Sequence, residues 1–298
     1  MPTFAEQTKP FPVPALIEGV NDMAGMMATL REVRLRVQQG KTPGIPTGLK
    51  TFDAKTGGLQ KGVHLLAAAP GAGKTTLALQ IARKAASAGV SVVYLAFDEG
   101  GDRLALKLAT GAAGLSATNY LRGQADPEEV MQAMEAHREM LTRIRVYQGP
   151  AQISPESTGA MVREAMEIDG TDEGLLVVDY VQAWAARMDA TGDFRVAVTH
   201  LIGQLRQAAM KAGVPVLAIA AQNRSGQGEA AMSSLRESSD LEYTADSICF
   251  LSNDKDEKDA YQDERRKVTF ACLKNRWGPT FTMPLVFDAV NGVFGESR

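Results

Sequence analysis

Residues Ala68-Ala-Pro-Gly-Ala-Gly-Lys-Thr75 stand between a short apolar run, His64 to Ala68, and a stretch over 74–88 whose apolar residues recur at helical spacing. A strand that turns through glycines directly into a helix is the setting in which backbone N–H groups converge on an anion. Gly71 and Gly73 permit the bend, so the segment Ala69, Pro70, Gly71, Ala72, Gly73 can wrap phosphate oxygens. Lys74 adds charge at the β and γ positions, Thr75 offers its hydroxyl to Mg2+, and Thr76 carries the cradle into the helix. The strict form of the motif opens on Gly; Ala68 in that place suits a residue that ends a strand at ordinary negative φ. A turn that merely joins strand to helix has no reason to carry Lys-Thr. The segment therefore predicts a nucleotide site, although it does not separate ATP from GTP.

Working outward, Leu175-Leu-Val-Val-Asp179 is an apolar strand that delivers a carboxylate at its C-terminal end, where ligands of open α/β sheets bind. Asp179 is thus the second candidate for the Mg2+ shell. The run Ser91-Val-Val-Tyr-Leu-Ala-Phe-Asp-Glu99 also ends in carboxylates, one of which would position or deprotonate a water. Spacing leaves Asp98 and Glu99 equally open, and either could instead cap the following helix.

The wider pattern is α/β. Strand-like runs at His64 to Ala68, Ser91 to Phe97, Ile144 to Gln148, Leu175 to Val178 and Val214 to Ala220 alternate with helical stretches over 74–88, 126–142, 155–168 and 194–212. These stretches are long enough to cross over between parallel strands, so a mostly parallel central sheet flanked by helices is expected. Beyond residue 245 the runs Ser247 to Ser252, Lys267 to Lys274 and Thr280 to Asp288 read as antiparallel strands. Upstream, Leu16, Val20, Met23, Met27, Leu30, Val33 and Val37 predict an amphipathic helix ending at Gly40. The expected organisation is a flexible tail (1–13), a linker or oligomerisation helix (14–40), a Pro/Gly-rich linker (41–48) and one main domain (49–298).

Composition narrows the classes. Of 298 residues, 45% are hydrophobic and 22% charged, which excludes wholesale disorder, and a net charge of −3 lacks the global basic excess of a monomeric nucleic-acid coat. Cys249 and Cys272 show no metal-ligand spacing, and His64, His137 and His200 are scattered. No uncharged apolar stretch approaches the ~20 residues of a membrane helix, and the N-terminus has no secretory pattern, so a cytoplasmic, reducing location is expected. Trp184 and Trp277 read as core or interface anchors, and the charged run 253–259 as a solvated loop.

Taken together with Gly48-Leu-Lys-Thr-Phe-Asp53, Thr56-Gly-Gly-Leu59, Val178-Asp-Tyr-Val-Gln182, Gln222-Asn-Arg-Ser225, Leu235-Arg-Glu-Ser238, Ala245-Asp246 and Lys274-Asn-Arg-Trp-Gly-Pro-Thr280, these motifs resemble the motor domain of DnaB-type replicative helicases over about residues 42–290. The resemblance implies a RecA-like P-loop NTPase fold and a homo-oligomer, a six-membered ring with ATP and Mg2+ held between neighbouring subunits. It also implies translocation on single-stranded DNA, 5′ to 3′. By the same likeness Glu99 activates water, Gln222 senses the γ-phosphate, and Lys274 and Arg276 enter the next subunit's site. Read without the likeness, that basic pair is an edge strand resisting aggregation.

Arg236, Glu237 and Ser239 fall on the family's DNA-holding pore loop, with Ser239 where the pattern has Gly. The other pore loop, 183–193, carries Asp189 and Asp193 against Arg187, and acid in such a channel weakens phosphate binding. The family's N-terminal collar domain has no expected counterpart. These departures motivate one alternative, a DnaB-derived oligomeric ATPase of a mobile element that does not unwind DNA; a RadA-like recombination ATPase, which shares the early motifs, is another.

Overall fold

The computed structural model describes residues 23–149, 153–188, 193–222, 244–253 and 265–297. The chain divides into two units, Met1–Pro43 and Gly44–Arg298. The first contains helix α1 (Met23–Gln38), whose apolar residues Met23, Leu30, Leu35 and Val37 are all exposed.

The second unit is built on a nine-stranded sheet of order β3-β2-β4-β5-β1-β6-β7-β8-β9. The strands are β1 (Gly62–Ala68), β2 (Ser91–Ala96), β3 (Ile144–Gln148), β4 (Gly174–Asp179), β5 (Pro215–Ala221), β6 (Ser247–Asn253), β7 (Arg265–Asn275), β8 (Phe281–Asp288) and β9 (Val293–Glu296). Strands β1 to β6 pair in parallel, and β7, β8 and β9 extend the edge antiparallel. β1, β2 and β4 are apolar without alternation because helices cover both faces. One core layer lies under α3 (Lys74–Ser87) and α4 (Gly101–Ala112). The other lies under α8 (Thr158–Asp169), α9 (Val181–Met188) and α10 (Phe194–Ala212).

Several expectations are corrected. The 41–48 stretch is not wholly a linker: Ile45 is buried and bridges Leu59, and Thr47 donates backbone and hydroxyl bonds to Asp53. Its Pro and Gly residues punctuate the chain, but its apolar residue still finds the core. That contact precedes α2 (Lys50–Thr56), a helix the periodicity does not reveal. The stretch 126–142 is two helices, α6 (Pro127–Ala136) and α7 (Arg138–Thr142), broken at His137, whose φ −109 and ψ 18 leave the helical region. A turn of 3-10 helix, Pro155–Ser157, precedes α8, and α5 (Ala117–Leu121) follows α4.

This topology brings the C-terminal ends of β1, β2, β4 and β5 to one edge of the sheet. Ala68 is in register with Ala221, and Ala96 with Asp179. The antiparallel β7 runs the other way, so its start, not its end, lies at that edge.

Candidate nucleotide site

The loop from Ala69 to Gly73 leaves β1 and closes on α3, with Gly71 at φ 77 and Gly73 at φ 93. Both values are in the left-handed region where a side chain is strained, so glycine is required at each. Gly73 is also the N-cap of α3 and has no capping side chain, which leaves the first N–H groups of the helix facing the loop. Lys74 folds back over the loop, Nζ donating to the carbonyls of Ala68 at 2.7 Å and Ala69 at 2.9 Å. Burial lowers its pKa to about 8, partly opposed by the negative charge of Asp179.

Asp179 ends β4, is buried, and accepts hydrogen bonds from Tyr94 Oη at 2.7 Å and from the Thr75 hydroxyl. Burial raises its proton affinity more than these bonds lower it, and the charge of Glu99 raises it further. Tyr94 is pushed well upward by burial and by Asp179, so it stays a donor. Thr75 and Asp179 together form an all-oxygen donor set, the chemistry of a Mg2+ that takes a carboxylate, a hydroxyl and substrate phosphates. Among the described residues no group of three or more His, Cys, Asp or Glu side chains could hold a metal by itself.

The two carboxylates after β2 differ in what they face. Glu99 acts electrostatically on Asp179 and Tyr94, whereas the exposed Asp98 acts on Tyr180. Glu99 Oε2 is 2.7 Å from Lys107 Nζ on α4. Lys107 in turn lines an open cleft of about 110 Å3 with Thr76, Leu79, Arg83, Phe287 and Asn291.

Gln222, just past β5, is buried, and its backbone N–H donates to the Ala68 carbonyl at 3.0 Å. Gln182 holds the preceding residue, accepting from Ala221 N–H at 3.0 Å and donating to its carbonyl at 3.2 Å.

One basic residue at this edge escaped sequence reasoning. Arg266 is buried, donates from Nη2 to the Gly71 carbonyl at 2.6 Å, and lies 4.8 Å over the Phe287 ring. Phe287 stacks on Phe294 at 4.3 Å, and this pair packs against Gly73. The signal was strand parity: Arg266, Val268 and Phe270 share the buried face of β7.

Lys274 and Arg276 lie at the opposite edge of the sheet. Lys274 Nζ donates to the Ala245 carbonyl at 2.6 Å, and Arg276 Nη1 is 3.2 Å from Asp246 Oδ1. Lys274 lies within β7, whereas Arg276 follows its end at Asn275, and the pairing with β6 shifts register at Ile248/Cys249.

Arg236, Glu237, Ser239 and Asp189 lie outside the described residues. Asp193 is the N-cap of α10, accepting from the N–H groups of Arg195 and Val196. Arg187 donates to the carbonyls of Gly149 and Phe97, both at 2.7 Å. His64 is buried between Ser247 Oγ at 2.8 Å and the Gln60 carbonyl at 2.7 Å. Trp184 is core, stacked on Phe97, while Trp277 is 50% exposed. Cys249 and Cys272 are buried free thiols facing each other across β6 and β7. Among the described residues no helix is long and apolar enough to cross a membrane.

Comparison with known proteins places these features. The family model for the DnaB-like helicase C terminal domain matches residues 44–296. The replicative DNA helicase DnaC of Bacillus subtilis is 26% identical over 260 residues, 85% of this chain and 57% of that protein. The replicative DNA helicase DnaB of Leifsonia xyli is 28% identical over 278 residues, 87% of this chain and 57% of that protein. The chain thus spans about 57% of the length of these relatives. The solved ATPase domain of G40P superposes with a TM-score of 0.78 at 23% identity, covering 93% of this chain and 99% of that one. A DnaB-like replicative helicase, whose structure was described with its interactions with primase, gives 0.75 at 23% identity, covering 93% and 67%. The fold is therefore the RecA-like one of DnaB ATPase domains. On the match over residues 44–296, the chain belongs to the DnaB-like helicase C-terminal domain family.

Proposed function

We propose that this protein hydrolyses ATP in a cleft shared by two copies of the chain, assembled as a hexameric ring, and uses that hydrolysis to move on single-stranded DNA, 5′ to 3′. The observation that carries the shared cleft is the separation of the basic groups along β7. Arg266 touches the phosphate loop, and Lys274 is eight residues further along an extended strand, roughly 27 Å at ~3.4 Å per residue. No lysine side chain spans that distance, so Lys274 and Arg276 serve a neighbour's nucleotide rather than their own.

In this reading the loop amides and Lys74 hold the β- and γ-phosphates, and Thr75 and Asp179 hold Mg2+. A Mg2+ held there would supply positive charge to offset the charge of the triphosphate. Glu99 orients the attacking water and takes its proton as the γ-phosphoryl passes to the water oxygen, while ADP leaves with its β-phosphate oxygen beside Lys74. Gln222 contacts the γ-phosphate and reports its loss through β5. Arg276 and Lys274 of the adjacent copy stabilise charge on the transferring group, a contribution typically worth ~10³ to 10⁵ in rate. Arg236, Glu237 and Ser239 supply the DNA-facing loop, whose backbone contacts position the strand without reading bases.

A second reading, an oligomeric ATPase that does not unwind DNA, draws support from Arg187. Its guanidinium is taken up by two carbonyls, so the 183–188 segment offers no other Lys or Arg to phosphate. The deciding experiment measures turnover per protomer against protein concentration, with and without an oligonucleotide, at rising salt. The shared cleft predicts turnover that falls on dilution, and DNA action predicts stimulation that fades with salt. A dilute monomer as fast as the concentrated protein sinks the first. ATP hydrolysis indifferent to oligonucleotides, with no unwinding of a fork, establishes the second reading.

A further inference from the structure

Arg276 is not loose at its edge of the sheet. Its Nη1 is 3.2 Å from Asp246 Oδ1, and its backbone N–H donates to the Asp246 carbonyl at 2.9 Å. The side chain of Arg276 is 42% exposed, that of Asp246 only 4%. Three further contacts fix this aspartate: its Oδ2 accepts from the Val63 N–H at 2.9 Å, its own N–H donates to the Val63 carbonyl at 2.8 Å, and Arg206 of α10 approaches its Oδ1 at 3.2 Å. Gly62 leaves the carboxylate its room, since a Cβ there would collide with Oδ2. Asp246 is thus anchored to β1 at the edge opposite the phosphate loop and meets two partly exposed guanidinium groups, Arg206 and Arg276.

We propose that Asp246 is a positioning residue for Arg276, holding the guanidinium in the orientation from which it enters the neighbouring copy's nucleotide site. The inference rests on the shared-cleft reading above. Two arguments carry it. An exposed arginine has many rotamers, and fixing it before docking removes an ordering cost that would otherwise fall on the assembled state. One carboxylate between two guanidinium groups also leaves the cluster with a net positive charge, so Arg276 is oriented without being neutralised, and it still attracts a triphosphate. Asp246 itself touches no substrate. Its proposed effect on turnover travels through Arg276.

The test is Asp246→Asn, which keeps an oxygen for the Val63 N–H and removes the charge that orients Arg276. Homotypic assemblies should lose about tenfold to a hundredfold in kcat, as small misplacements of a catalytic group do, with KM for ATP within about twofold because the phosphate loop lies at the other edge. Mixing Asp246→Asn with Glu99→Gln subunits should then restore turnover, at sites where the first provides the phosphate loop and the second provides Arg276.

A merely structural role for Asp246 gives no such rescue, because a misfolded subunit contributes neither half-site. Absence of rescue by this variant, where Arg276→Ala mixed with Glu99→Gln is rescued, overturns the proposal. So does Asp246→Asn turnover within twofold of the parent. If Arg276→Ala itself keeps full turnover, the shared-cleft reading falls and the inference with it. If Arg276→Ala is inactive and Asp246→Asn is not, only the role of Asp246 is lost.

Discussion

Arg266 and Gly71 are 195 residues apart in the chain, yet the guanidinium of the first donates to the carbonyl of the second at 2.6 Å. The antiparallel extension β7 to β9 therefore does more than complete the sheet: it braces the phosphate loop from the side. A charge-assisted hydrogen bond of this kind is worth about 1.5–3 kcal/mol. Arg266→Met should weaken nucleotide binding about tenfold, read by titration with a fluorescent ATP analogue, and lower the melting temperature. Arg266→Lys keeps the charge but not the planar stacking on Phe287, and should recover only part of the affinity. Unchanged affinity in Arg266→Met removes the bracing role.

The same extension makes Gly73 irreplaceable for two separable reasons. Its φ of 93 strains any side chain, and a Cβ would stand 2.7 Å from Phe294 Cζ. Gly73→Ala should destabilise the protein by about 1–3 kcal/mol in denaturant unfolding, through overpacking and backbone strain together. Adding Phe294→Leu should recover the overpacking part and leave the backbone part. Full recovery in the double variant shows that φ does not matter there, and no recovery shows that the ring does not.

Lys74 gives a signed dependence on pH. Its pKa falls from 10.5 to about 8 on burial, so between those values the unfolded chain binds more protons than the folded one. The stability contributed by this group therefore rises as pH climbs from about 8 to 10.5, and below that window the buried charge costs up to about 3 kcal/mol. Lys74→Met should be the more stable protein without nucleotide at pH 7, and its advantage should shrink as pH approaches 10.5. A stability difference flat across that range, or one that grows with pH, contradicts the depressed pKa.

Legibility in the sequence tracked locality. The phosphate loop was readable because its determinants, two glycines and a Lys-Thr pair, are contiguous, and β1, β2 and β4 were readable because both faces are apolar. α4 was not read: it begins at Gly101, contains Gly111, and has only Leu104, Leu108 and Thr110 buried, too few to mark a period. α9 has eight residues and β9 four, below the span that a pattern needs. Arg266 on Gly71 and Arg276 on Asp246 are pairings between distant segments, which spacing in one sequence cannot reveal. The second role of Asp193, the N-cap of α10, was by contrast local and legible, with Phe194 opening the helix.

The choice between Asp98 and Glu99, open in the sequence, becomes an experiment once their surroundings are known. Glu99 lies in the field of Asp179, where Mg2+ and the γ-phosphate are expected, while Asp98 is exposed and faces Tyr180. A water activated beside the γ-phosphate needs the first and not the second. Glu99→Gln should retain ATP binding and lose about 10²- to 10⁴-fold in kcat, the usual contribution of a general base, and Asp98→Asn should stay within a few-fold of the parent. Lys107 sharpens the comparison: its ion pair holds Glu99 before nucleotide arrives, and it lines the cleft beside Thr76. Steady-state turnover alongside filter-bound ATP for each variant separates chemistry from binding. Should Asp98→Asn abolish turnover while Glu99→Gln does not, the water-activating role passes to Asp98.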